Sequence, residues 1–401
     1  MLKSLKDRSR LTALLIVALA GAAPVFAAAN GPVPSLPWLH EGMVLTFTWY
    51  QAIAAGNGST YQEDEHGGWV DPRTGHQLSR SDQRGTSGSG WTEVTIACID
   101  GDKAVVTTAS FANAGSLGNN QPVPQQIGAS TLVSVTDPGD YWIDPAKLAT
   151  LHSVPSQHVL VTRVPWKMNG NETQAIRVQM VKPGSYSEHV YNAQTGLCLH
   201  FASSAEGAPP KYVGPGDMGR GDTVLSRNEF VGARDLSIPW AGEEMPAWVS
   251  GLRALHYRGP IVSRGPLPSL NSVFFADMQA VARGRGWVQF SSVVGKQTQG
   301  APNTPPGKGE ITFGRSQFGG LWIGPEALAN LRQGQVLDQD PVTRMQTSIT
   351  KADNKSIVIA SRNAAGEIDN EYDRSTGMLI ATSFFDVLTK QQSILRLQGR
   401  E

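Results

Sequence analysis

VYNAQTGLCLHF, residues 190–201, is answered 181 residues downstream by EYDRSTGMLIATSF, residues 371–384. Each stretch sets a Tyr four residues before a Thr-Gly pair and follows the pair with an apolar run. A strand ending at the Tyr, a polar turn whose Gly takes a positive φ, and a returning strand account for both copies. Working backward from the two Thr-Gly pairs, WIDPAKLATL (142–151) aligns with WIGPEALANL (322–331) at nearly the same offset. Further back, Gly90-Trp91 pairs with Gly286-Trp287, and LPWLHEGMVL from Leu36 pairs with MPAWVSGLRAL from Met245. Four anchors in one order mark a single unit written twice.

The anchors also predict local structure. Asp144-Pro145 and Gly324-Pro325 read as a cap followed by a first-turn proline, and Leu148/Leu151 and Leu328/Leu331 at i, i+3 spacing make each a short amphipathic helix. Beyond each helix the chain alternates apolar and polar residues, as in HVLVTRV from His158, QAIRVQMV from Gln174, SIVIASR from Ser356 and SILRLQ from Ser393. That period of two predicts antiparallel strands with one face buried. In TIACIDGDKAVVTTASF, Asp100-Gly101 marks another hairpin, whose counterpart is expected in WVQFSSVVGKQTQ. The expected fold is mainly β with short helices: a tandem duplication of a curved antiparallel-sheet unit carrying one short helix each. The predicted map has a leader over 1–29, a first repeat over 30–206, a Gly/Pro-rich linker over 207–242 with one strand near Thr223 to Phe230, and a second repeat over 243–401. Anchor spacing predicts that the first repeat has grown in its N-terminal half, in surface loops.

The leader reading rests on Lys3, Lys6, Arg8 and Arg10, the apolar run from Leu11 to Ala20 and the small residues ending at Ala29, the pattern of a secretory signal peptide. It places the protein in the periplasm or outside the cell, with no transmembrane anchor once the leader is removed, because the later sequence has no apolar stretch of spanning length. The chain is neutral overall, and loss of four bases and one acid with the leader leaves a balance of −3, which gives nucleic acid no reason to bind. At 40% hydrophobic and 17% charged residues, the sequence has enough apolar surface for packed cores.

Cys98 and Cys198 are the only cysteines. Export favours a disulfide between them, and the alignment sets them opposite Val294 and Leu379, both apolar. The polar loop over 56–90 of the first repeat gathers Tyr61, Glu63, Asp64, Glu65, His66 and Trp69, with Asp71 and His76 beyond. Carboxylates beside imidazoles suit water activation or cation binding, and aromatics suit ligand stacking. These six residues are the candidate ligand site, although Tyr61 and Trp69 could equally fold down as a lid on the sheet. No metal-binding spacing, nucleophile elbow or phosphate loop occurs, so no catalytic residue, metal or cofactor is assigned. Gly214–Gly219 matches GxGxxG only formally, since no helix pattern follows it. Trp38, Trp91, Trp142, Trp287 and Trp322 stand at or beside repeat anchors and read as core, whereas Trp49, Trp69, Trp166 and Trp240 are freer. The first functional expectation is an exported, non-enzymatic protein binding a partner protein or an apolar or polymeric ligand, in a sheet concavity or between the repeats. The alternatives are a hydrolase with its acidic site in the 56–90 loop and a cell-envelope assembly factor.

Overall fold

A computed structural model gives the three-dimensional structure and describes residues 36–54, 61–64, 68–72, 74–75, 77–78, 88–114, 121–168, 170–206, 223–265, 272–300, 305–387 and 390–401. The first repeat supplies β1 (Met43–Ala54), the two-residue strands β2 (Gln62–Glu63) and β3 (Trp69–Val70), β4 (Gly88–Asp100), β5 (Lys103–Ala114), β6 (Gln121–Ser134), helix α1 (Pro145–Thr150), β7 (Val159–Met168), β8 (Asn171–Lys182), β9 (Ser185–Asn192), β10 (Cys198–Glu206) and β11 (Thr223–Asp235). The second supplies α2 (Ala247–Gly251), β12 (Ala254–Ser263), β13 (Ser272–Arg283), β14 (Trp287–Thr298), β15 (Gly307–Gly314), α3 (Pro325–Asn330), β16 (Val336–Gln339), β17 (Gln346–Ala352), β18 (Ser356–Arg362), β19 (Gly366–Asp373), β20 (Leu379–Asp386) and β21 (Gln391–Arg400).

The strands form two long sheets with the same plan. The first runs β6-β5-β4-β1-β11-β10-β9-β8-β7, and the second β15-β14-β13-β12-β21-β20-β19-β18-β17-β16. In each, the first long strand of the repeat pairs with the last, so each repeat closes on itself. The strand expected near Thr223 is β11; it lies between β1 and β10 and takes the place that β21 holds in the second sheet. The two sheets belong to one compact unit, Ser35–Glu401.

The Thr-Gly turns occupy equivalent places down to single hydrogen bonds. The Ile143 amide donates to the Gly196 carbonyl at 2.9 Å, and Ile323 does the same to Gly377 at 2.9 Å. The Trp38 indole donates to the Thr195 carbonyl at 2.8 Å, and Trp248 to Thr376 at 2.8 Å. The Tyr191 hydroxyl reaches the Gly139 carbonyl, and Tyr372 the Gly320 carbonyl. Gly196 has φ 73° and Gly377 φ 70°, and a Cβ on either would strike the carbonyl oxygen of Ile143 or Ile323. Glycine is therefore required twice over, by the left-handed backbone and by the close chain segment beneath it. The helices α1 and α3 differ in how they are capped. Asp144 accepts from the Ala146 amide; Gly324 has no side chain to do so, and Glu243 instead accepts from the Glu326 and Ala327 amides.

One anchor is corrected by the strand order. Trp91 lies on β4, next to β1, whereas Trp287 lies on β14, two places from β12. The equivalent of β4 is β13, so the β4–β5 hairpin matches β13–β14, and the alignment of Cys98 with Val294 falls. Growth of the first repeat is concentrated in one connection, with 33 residues between β1 and β4 against 8 between β12 and β13.

The expected disulfide is likewise corrected, because both cysteines are free and buried. Two strands separate β4 from β10, so the backbones that carry the thiols are three strand spacings, about 14 Å, apart along the sheet, beyond bridging reach. They also serve different contacts. Cys98 packs with Ala97, Val105 and Trp287 of the second repeat, and Cys198 packs with Leu148 of α1 and Ile176.

Candidate functional site

The cross-strand register decides which side chains share a face. In the first sheet Leu45 stands opposite Val94, and both join the core with Trp142 on the helix side. Their neighbours Val44, Thr95 and Thr107 align across β1, β4 and β5 on the opposite face, with Arg234 of β11 beside Val44. In the second sheet Leu255 and Tyr257 of β12 stand opposite Met278 and Ala276, on the side where Leu328 of α3 packs with Ile357 and Ile359. The repeats meet through unlike faces: the helix-bearing face of the second sheet receives the helix-free face of the first.

That contact leaves a cavity of about 560 Å³, within the roughly 300–1,000 Å³ typical of small-molecule sites. Val44, Thr107, Ala109 and Phe111 form its wall from the first repeat. Tyr257, Phe274, Met278, Val294, Phe313 and Phe384 form much of the other. Hydroxyl and amide groups in the wall satisfy one another: Thr107 donates to Gln317, Thr382 to Asn370, and Thr347 pairs with Ser361. Polar groups paired in this way cost little to keep out of water.

The charged residues of the lining are Glu93, Arg234 and Asp338, which lie together at the seam. Arg234 Nη1 donates to both oxygens of Asp338 at 2.9 Å, and Nη2 donates to Asp340 at 2.9 Å. Glu93 Oε1 lies 3.7 Å from Nη2. Burial first, and then the neighbouring Asp340, push the Glu93 carboxyl well above the usual carboxylate range. For Asp340 burial works upward, but the hydrogen bond from Glu93 and the Arg234 charge outweigh it and hold the carboxyl low. The proton shared by the two acids therefore sits on Glu93. A second ion pair pins the seam elsewhere, with Arg315 making two hydrogen bonds to Glu41, at 2.9 and 2.8 Å, while Glu41 also accepts from Ser316 and the Ile99 amide.

Of the residues singled out in the 56–90 loop, the described ones, Tyr61, Glu63, Asp64 and Trp69, do not line this cavity. Tyr61 and Trp69 are buried with Ala52, Tyr186, Ala202 and Leu225 on the helix-free face of the first sheet. The lid alternative describes them: β2 and β3 form a small hairpin lying over that sheet. Glu63 fastens it, its carboxylate 2.6 Å from His200 Nε2 and accepting from Arg227 at 2.9 Å. The Glu63 and His200 side chains are 6% and 5% exposed, which leaves no open face for a substrate. Asp64 accepts from the Gly68 amide at 2.7 Å and from the Gln77 side chain at 3.3 Å. Glu65, His66 and His76 lie outside the described residues, as does the GxGxxG match at 214–219. Among the described residues no group of three or more His, Cys, Asp or Glu could hold a metal ion, and no helix is long and apolar enough to cross a membrane.

The sequence carries a weak signal for the cavity in SVFFADMQ, where Phe274, Ala276 and Met278 fall at period two. No motif marks it, since its walls come from chain segments more than a hundred residues apart. The chain has no match among protein-family models, curated proteins or solved structures.

Proposed function

We propose that this is an exported, non-enzymatic binding protein that holds an apolar ligand in the cavity between its two repeats. The observation that carries this function is the cavity itself: about 560 Å³, walled mainly by aliphatic and aromatic side chains, with its few charges gathered in one cluster around Arg234 at the seam. An apolar guest would gain by leaving water, at about 25 cal/mol per Å² buried. Export is supported by the basic and apolar pattern of residues 1–29. The acidic-loop hydrolase has weaker support, because Glu63 and His200 are spent on each other and on Arg227 beneath the hairpin.

The test is titration with N-phenylnaphthylamine, an uncharged apolar fluorophore. The wild-type protein should enhance its emission saturably. Ala109→Trp in the first repeat and Ala276→Trp in the second, each placing an indole in the cavity wall, should each abolish the enhancement while keeping the far-UV spectrum. Equal enhancement by wild type and both variants would place the binding surface elsewhere.

A further inference from the structure

We propose that the ligand is an uncharged long-chain amphiphile, with an alcohol, amide or ester head, and that fatty-acid anions are excluded. This rests on reading the cavity as an apolar binding site. The reason is the charge count at its wall. Arg234 is the one cation among the lining residues, and its two terminal nitrogens are committed to Asp338 and Asp340. Two carboxylates already face one guanidinium, so the cluster carries a surplus negative charge even with Glu93 protonated. A ligand carboxylate would enter a poorly screened site beside that surplus, and opposing like charges there are costly. Arg234 Nε has no partner but is itself buried, and pairing a ligand carboxylate with the terminal nitrogens would displace Asp338 and leave a buried aspartate without a partner, which is strongly unfavourable. An uncharged head needs no such exchange. The paired hydroxyl and amide side chains at Thr107–Gln317 and Asn370–Thr382 offer donors and acceptors that a neutral oxygen or N–H can join.

The inference separates from an unspecific apolar pocket, which would take an alkyl chain with little regard to its head. It also separates from the usual use of arginine, which would make the carboxylate the preferred head. Here the arginine is present but already neutralised.

The experiment is calorimetric titration of the full chain with dodecanol and with dodecanoate, below micelle-forming concentrations and at a pH well above the carboxylate range. Dodecanol should bind about tenfold or more tightly than dodecanoate. Asp338→Asn, which removes one negative charge from the cluster around Arg234, should narrow that gap about tenfold by strengthening dodecanoate binding. Dodecanoate binding to the wild type as tightly as dodecanol would overturn the inference while leaving the cavity reading intact. Binding of neither probe would overturn the cavity reading, and this inference with it. If Asp338→Asn does not fold, the wild-type comparison alone still decides.

Discussion

Gly196 and Gly377 show how a two-residue motif carries structural information. Each sits with positive φ above a carbonyl of the segment that leads into a helix, and each leaves no room for a Cβ. Gly101 also has a positive φ, 63°, but a Cβ there would meet nothing within 4 Å. The three glycines therefore predict different costs on replacement by alanine. Gly101→Ala should cost about 1–2 kcal/mol, the left-handed penalty alone. Gly196→Ala and Gly377→Ala should each cost more than about 3 kcal/mol, as the backbone must also move. Urea denaturation midpoints of the three variants check this; equal losses at all three positions would contradict it. At this scale the sequence was informative where one residue serves one local geometry: Tyr191, Thr195, Gly196 and their partners in the second copy repeat in chain and in space. It was misleading for Cys98 and Cys198, because burial of a thiol says nothing about which face or which strand it occupies.

At the level of elements, the strands after each helix and the helices themselves were legible, since their alternation and their Asp-Pro or Gly-Pro starts arise from local chemistry. SIVIASR, for instance, coincides with β18. The N-terminal half of each repeat was harder. Gly-Trp occurs on β4 in one copy and ahead of β14 in the other, and period-two alternation cannot distinguish one strand of a sheet from its neighbour. Placing β13 opposite β4 needs the pairing pattern, which no short motif encodes. The loop between β1 and β4 was visible as an insertion, and its aromatics were noted as able to fold down. What could not be read was that Glu63 would find His200 and Arg227, residues more than 130 positions away. Seen in the fold, the acidic character of that loop is partly a fastening for a hairpin, with Trp69 and Tyr61 covering the part of the helix-free face around Ala52, Ala202 and Leu225.

For the whole molecule, duplication supplied two similar sheets, and their joining through unlike faces created what neither has alone. Such heterologous contact uses the outside of one copy to roof the inside of the other. The roof is held by ion pairs at Glu41–Arg315 and Arg234–Asp338–Asp340, with Asp100 of the first repeat taking Arg285 and Trp287 of the second. Glu93 makes this seam sensitive to pH. Its carboxyl titrates well above 4.5 in the folded protein, so its stabilising contribution is complete below about pH 4.5 and is lost as the pH rises through the folded value. Glu93→Gln keeps a donor for Asp340 but cannot ionise. The variant should gain stability over wild type as the pH rises, and the gap should shrink toward pH 4.5. Denaturation midpoints measured across that range check the sign; a gap that grows on acidification would contradict it.

The most direct measurement is diffraction from crystals grown with 12-bromododecanol, collected at the bromine edge. An anomalous peak inside the cavity, between the Ala109–Phe111 wall of the first repeat and the Phe274–Met278 wall of the second, is the predicted result. A bromine peak confined to the helix side of the first sheet or to the outer surface would contradict the claim that the two repeats enclose a binding site.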